Sequence, residues 1–158
     1  GDIKGNYIYS IPQKITGLGH KKSNAKMFPK DTVVIALNGQ GKTRGTTAIL
    51  KVETTSNQSV VGIMIDKEKI SSEYLHYNLK TRYSEIRNLT GDSDRSGLNL
   101  SILRSFKILL PPIELQNKFA SIVKEVEAMK EHQKQSKDQI ENLFNALMQK
   151  AFKGELKC

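Results

Sequence analysis

The segment Asn38-Gly-Gln-Gly-Lys-Thr-Arg-Gly45 concentrates the residue types best suited to binding chemistry. Its three glycines remove side-chain bulk, so the backbone can come close to a flat or charged partner. Lys42 and Arg44 supply positive charge. Asn38, Gln40 and Arg44 are of the types that make bidentate contacts to base edges, adenine for the amides and guanine for arginine. The plainer alternative is a glycine-rich surface turn. The same stretch imitates a phosphate-binding loop, since Ala36-Leu-Asn-Gly-Gln-Gly-Lys-Thr43 fits the relaxed pattern with Ala in place of the first Gly. Val60-Val-Gly-Ile-Met-Ile-Asp66 likewise imitates an apolar strand ending in a magnesium-binding Asp. That chemistry needs Lys and Thr at the start of a helix whose N-terminal amides hold the phosphates. Thr43 is instead followed by Arg-Gly-Thr-Thr-Ala-Ile-Leu, which turns strand-like, and the interval before Asp66 leaves no room for a crossover helix. A base- or phosphate-contacting loop fits these residues better than a nucleotide-hydrolysing one.

Other chemistry is thin. His20, His76 and His132 are far apart and no Cys joins them, so no metal site is expected. No nucleophile motif or methyltransferase-type glycine motif is present, and Asp92 and Asp94 sit beside Arg95 as turn or capping residues rather than an acid pair. No catalytic residues are assigned, and the chain reads as a binder. A second basic stretch, His20-Lys-Lys-Ser-Asn-Ala-Lys26 with Lys30, suits phosphate positioning, with Lys21 and Lys22 as the candidates. Arg95 and Asn99, in and after the loop Gly91-Asp-Ser-Asp-Arg-Ser-Gly97, are further DNA-contact candidates beside Asn38, Gln40, Lys42, Thr43 and Arg44. Asn57 and Gln58 suit a turn at least as well as a contact.

These loops need a scaffold. Thr32–Leu37, Thr46–Glu53 and Ser59–Asp66 are β-branched, apolar runs that predict strands. Ser71 or Ser72 caps a helix expected to run through Tyr74, Leu75, Tyr77, Leu79 and Ile86 to about Leu89. Leu100–Leu110 predicts a further strand, stopped by Pro111-Pro112. Successive strands interrupted by one helix give an α+β domain with a mixed sheet over residues 1–112.

From Ile113 the pattern changes. Phe119, Ile122, Val126, Met129, Gln133, Ser136, Ile140, Leu143 and Leu147 recur at spacings of three and four, a heptad seam on a helix expected over 113–152, with Gly154 as its stop and 153–158 as a tail. Such a helix is about 60 Å long, too long for the preceding ~110 residues to cover. Phe119, Ile122, Val126, Met129, Ile140, Leu143 and Leu147 are therefore expected to face a partner helix. Gln133 and Ser136 put polar groups at the seam's centre, either a local slackness or a joint between two packing zones. Six Lys balance six acids in 113–152, and the tail holds two Lys and one Glu. That leaves 17 basic and 9 acidic residues, net +8, in 1–112. A neutral arm suits protein, and a basic domain suits a polyanion, most often nucleic acid. There is no long apolar run, no signal-like N-terminus, and a lone Cys158, which together predict a cytoplasmic, reducing setting.

Taken in order, the GQGKTRGT loop at Gly39–Thr46, the TTSNQSV segment at Thr54–Val60, the YLHYNL helix at Tyr74–Leu79, the junction Pro111-Pro-Ile-Glu-Leu-Gln116 and the ending Leu147–Leu156 resemble one half of a specificity subunit of type I restriction-modification enzymes. The resemblance covers nearly the whole chain. It implies a target recognition domain that reads a short stretch of duplex DNA, followed by a spacer helix that docks methyltransferase (modification) subunits and, through them, restriction subunits. It also implies that S-adenosylmethionine, ATP and magnesium belong to those partners and that this chain binds no cofactor and is not itself an enzyme. Family members carry two recognition domains and two spacer helices, whereas this chain has one of each. A homodimer through the helix, or pairing with a second recognition half, is therefore expected. The rival expectation is a coiled-coil adaptor whose basic domain binds protein or RNA.

Overall fold

A computed structural model describes residues 3, 5–39, 42–90 and 97–155. The elements are β1 (Tyr7–Ile8), α1 (Gly17–Lys21), β2 (Met27–Phe28), β3 (Val33–Ala36), β4 (Thr47–Leu50), β5 (Thr54–Thr55), β6 (Val60–Ile63), α2 (Ser72–Thr81), α3 (Tyr83–Asn88), α4 (Leu100–Ser105) and α5 (Ile113–Phe152). Two compact units divide after Lys118, six residues into α5.

In the first unit the three β-branched runs become β3, β4 and β6. The sheet order is β1-β4-β3-β6, with β3 antiparallel to both neighbours and β1 parallel to β4, so the sheet is mixed. β2 and β5 form a separate antiparallel ribbon. β3 and β4 are buried at every position because both sheet faces are covered there, while β6 at the edge is half-buried. Val33, Ile35, Leu37 and Ile49 pack with Leu75 and Leu79 of α2, Ile86 of α3 and Leu98. On the other face Val34, Ala48, Leu50 and Ile8 pack with Ile3, Ile11, Phe28 and Val60. Gly62 lies under the Phe28 ring, where an added Cβ would come within 2.7 Å of it.

Ser71 is the N-cap of α2, its hydroxyl accepting from Tyr74 N at 3.1 Å. The expected single helix is interrupted at Arg82 and resumes as α3. The strand expected over Leu100–Leu110 is a correction: Leu100–Ser105 is helix α4, and residues 106–112 continue without regular structure. Two physical features select the helix. Asn99 caps it by accepting from Ile102 N at 2.9 Å. Ile102, Leu103 and Phe106 recur at helical spacing and reach the core together. The Arg82 guanidinium then stacks over Phe106 at 4.0 Å and donates to Lys107 O at 2.7 Å.

Asp31 ties β3 to α2. It holds a left-handed φ of 68°, accepts from Lys51 Nζ at 2.9 Å and Lys67 Nζ at 3.3 Å, and its carbonyl accepts from Ser72 Oγ at 2.7 Å. The Lys51 hydrogen bond holds the Asp31 carboxyl below its usual range; burial opposes this and the charges of Lys51 and Lys67 reinforce it. A depressed carboxylate stabilises the fold above its unfolded pKa, and that contribution is lost as pH falls through the folded value. Asp31→Asn keeps a residue that tolerates left-handed φ and removes the charge. It is expected to lower stability by about 0.5–1 kcal/mol at pH 7 and to converge with the parent in acid, as urea unfolding at pH 7 and pH 3 would read.

The junction into α5 is buried. Gln116 is 0% exposed, its Oε1 accepting from Ser71 N at 3.0 Å while Nε2 donates to Lys69 O at 3.0 Å and Pro111 O at 2.8 Å. In the second unit, α5 runs to Phe152 and closes in a Schellman motif. Gly154 has φ 70°, Gly154 N donates to Ala151 O at 3.1 Å and Glu155 N to Lys150 O at 2.9 Å. Ion pairs Glu127–Lys130 and Lys137–Glu141 lie along it, while Ile140, Leu143 and Leu147 are 67%, 71% and 50% exposed. Among the described residues no helix is long and apolar enough to cross a membrane.

Candidate nucleic-acid interface

The β3–β4 hairpin carries the glycine-rich loop. Its ladder continues past the strands, with Ala36 N donating to Thr46 O at 3.0 Å and Gly45 N to Ala36 O at 2.9 Å. No helix follows Lys42 and Thr43: residues 42–45 form a turn and the chain enters β4 directly. That is the geometry of a hairpin, and it lacks the helix N-terminus a phosphate-binding loop requires. Thr46 N and Oγ1 both donate to Thr43 O, at 3.0 and 2.7 Å, closing the turn. Gly39 has φ 133°, and an added Cβ there would lie 2.7 Å from Thr43 Cβ, so conformation and space both require glycine.

Leu37 is where the surrounding loops meet. Its N–H donates to Ser59 O at 2.8 Å and its carbonyl accepts from Leu98 N at 2.9 Å. The turn at Asn57–Ser59 and the end of the loop before Leu98 are thereby laced to the base of the hairpin. Gly97 sits against Asn38 so closely that an added Cβ would fall 2.9 Å from Leu37 O and within bonding distance of the Asn38 side chain. Behind the hairpin, Thr47 Oγ1 lies 3.0 Å from Nδ1 of the fully buried His76, whose Nε2 is 3.3 Å from Asn6 Oδ1. Asn6 in turn donates to Tyr77 Oη at 2.9 Å and accepts from Lys80 Nζ at 2.6 Å.

The candidates separate on this frame. Asn38, Lys42 and Thr43 are exposed on one loop. Arg44 is 8% exposed, so it offers less surface in this conformation than its neighbours Lys42 and Thr43. Asn99 is exposed, but its carbonyl oxygen serves as the cap of α4. Asn57 is a turn residue, Oδ1 accepting from Ser59 N at 3.0 Å. Lys21 ends α1 and Lys22 is its C-cap, both exposed on the segment leading into β2. Gln40 and Arg95 lie outside the described residues.

Sequence reasoning missed Tyr83 and Arg87 of α3. Tyr83 Oη donates to Lys42 O at 2.9 Å, and Arg87 Nη1 donates to Tyr83 Oη at 2.9 Å. Gly45 rests against the same helix, 3.5–3.6 Å from its Arg87, Ile86 and Tyr83 side chains if a Cβ is added. The available signal was their spacing of four on a helix, but nothing in the sequence says that the helix lies under the loop. Among the described residues no group of three or more His, Cys, Asp or Glu could hold a metal ion.

Residues 2–142 match the family described as the type I restriction modification DNA specificity domain. The chain is 30% identical over 148 residues to the type I restriction enzyme MjaIX specificity subunit of Methanocaldococcus jannaschii, a match covering 92% of this chain and 33% of that protein. The chain therefore spans about a third of the length of this curated relative. Among solved structures, it matches a chain from a study of complex assembly and conformational transition of the type I R-M system, with a TM-score of 0.62 and 21% identity, over 83% of this chain and 33% of that one. The HsdS subunit from Thermoanaerobacter tengcongensis matches with a TM-score of 0.52 and 20% identity, over 82% of this chain and 32% of that one. At these identities the structural matches establish the shared fold.

Proposed function

The chain belongs to the type I restriction-modification DNA specificity domain family, and from that premise we propose that it is a non-catalytic specificity element reading one half of a bipartite duplex site. The observation that carries the assignment of the contact surface is the convergence at Leu37. It holds a braced hairpin loop with Asn38, Lys42 and Thr43 exposed at one end of the sheet of a domain of net charge +8. Lys42 suits a phosphate, and Asn38 and Thr43 can accept or donate at base edges. Lys21 and Lys22 serve as outlying phosphate contacts.

In the same reading, α5 pairs with the helix of a second recognition half, supplied by a second copy or by another chain. It also docks methyltransferase subunits, which bring S-adenosylmethionine, with ATP and magnesium belonging to restriction subunits. A pair of half-sites separated by a helix of about 60 Å spans more than one turn of DNA.

Mapping adenine methylation in cells that carry this chain with its modification subunits tests the proposal. A homodimer is expected to mark an interrupted palindrome, and a pairing with a different half an interrupted asymmetric site. A continuous motif without a gap, or methylation independent of this chain, would sink it.

A further inference from the structure

We propose that Tyr83 and Arg87 are positioning residues of the DNA-contact loop, acting through the Lys42 backbone and touching no base themselves. The inference rests on the assignment of that loop under the proposed function. The Tyr83 hydroxyl is a two-way relay: it donates to Lys42 O at 2.9 Å and accepts from the Arg87 guanidinium at 2.9 Å. A charged donor on the phenol oxygen polarises the O–H and strengthens its own donation. The Arg87 guanidinium also lies 5.6 Å from the Tyr83 ring centroid, so the pair holds together as a unit.

What the relay fixes is specific. Lys42 follows the first two glycines of the loop, and the turn after it is closed by Thr46 on Thr43 O. The hairpin side of the loop is therefore pinned at 43–46 by its own hydrogen bonds. Its approach through Lys42 is pinned from α3. A base contact requires its side chain within a few tenths of an ångström of the productive position. A phosphate contact by a long lysine tolerates more. Loosening the Lys42 carbonyl should thus cost sequence discrimination while leaving the electrostatic part of binding in place.

The test uses the full chain, a randomised-duplex selection to obtain its preferred sequence, and an unrelated duplex of the same length as a non-specific probe. Tyr83→Phe deletes only the hydroxyl, and Arg87→Ala removes its polarising partner. Both are expected to reduce discrimination between the selected duplex and single-mismatch duplexes by about fivefold. Affinity for the unrelated duplex and its salt dependence should stay at the parental values, with little change in melting temperature. Lys42→Ala is the control and should reduce the salt slope by about one. Three results overturn the inference. In the first, both α3 variants keep parental discrimination while Lys42→Ala or Thr43→Ala lowers it, which leaves the contact loop in place and removes its brace. In the second, both α3 variants weaken selected and unrelated duplexes equally with a lowered melting temperature, which marks a general structural role. In the third, Lys42→Ala and Thr43→Ala change neither discrimination nor salt slope, which removes the loop assignment itself.

Discussion

Gln116→Leu is expected to destabilise the recognition domain by about 3–5 kcal/mol, a large part of the 5–15 kcal/mol typical of a domain this size. The side chain is 0% exposed and completes three backbone hydrogen bonds, to Ser71 N, Lys69 O and Pro111 O. Leucine has nearly the same volume, so no cavity forms. The effect comes from one amide and two carbonyls that lose their partner at a part-buried junction. The position completes a cap. Ser71 caps α2 through its hydroxyl, but position 74 is a tyrosine and cannot return a side-chain acceptor to Ser71 N as a capping box would. Gln116, 45 residues further on, supplies that acceptor and so fastens the first turn of α5 to the start of α2.

Gln116→Glu sharpens the same prediction. It keeps the acceptor for Ser71 N but turns a carboxylate toward the two carbonyls that Nε2 served. Burial and the facing carbonyls raise the pKa of the introduced carboxyl above its unfolded value. A raised carboxyl pKa favours the fold more as pH falls, so the deficit of Gln116→Glu should shrink in acid while that of Gln116→Leu stays constant. Denaturant unfolding followed by circular dichroism at pH 7 and pH 4.5 reads both. A loss below about 0.5 kcal/mol for the leucine variant, within ordinary surface scatter, would refute the clamp.

Gln116 also marks how far the sequence could be read. The junction around Pro111-Pro112 stood out as a motif, and the helix after it was legible to its glycine stop because heptad spacing and the absence of proline are local signals. The reason for the glutamine was not, because two of its three partners, Lys69 and Ser71, lie more than forty residues earlier. The same limit explains the other misses. β3, β4 and β6 were legible as β-branched runs, the first two buried on both faces and β6 half-buried, whereas β1, β2 and β5 are two residues long and carry no pattern. Leu100–Leu110 read as a strand on its apolar content, and Asn99 read as a DNA contact on its type. One structural fact, that Asn99 caps α4, corrects the first and gives the second a plainer role. The candidate loop stands out in the sequence because glycines and cations are conspicuous. Charge alone does not say that Arg44 is largely covered, and the contacts from Arg87 through Tyr83 to the Lys42 carbonyl depend on a packing no spacing rule gives.

The double substitution Ile140→Asp with Leu143→Asp is expected to abolish helix pairing, weakening self-association by at least about a thousandfold, while leaving the first unit intact. The two side chains are 67% and 71% exposed in the chain by itself, so aspartate there removes little from the isolated protein. Within a seam, each apolar side chain covered by a partner contributes about 1.5–3 kcal/mol. In a homodimer both copies lose theirs, and a desolvated carboxylate is added at each position. Light scattering should therefore show a monomer at micromolar concentration with an unchanged melting temperature for the recognition domain. Retained dimerisation would place the partner surface elsewhere. Affinity for a two-half-site duplex should fall to that of one half-site, since the second contact is no longer intramolecular. On the reading of Gln133 and Ser136 as a joint, the polar centre would supply the register. An antiparallel pair layers one seam position against the other, so Gln133 would meet Ser136 of the partner helix, with Met129 against Ile140 and Val126 against Leu143. Gln133→Leu with Ser136→Leu should then act oppositely to the aspartates, tightening association while loosening its register. In the methylation map, a loosened register would appear as a gap of mixed length, whereas a Gln133–Ser136 segment that is only slack would leave the gap unchanged.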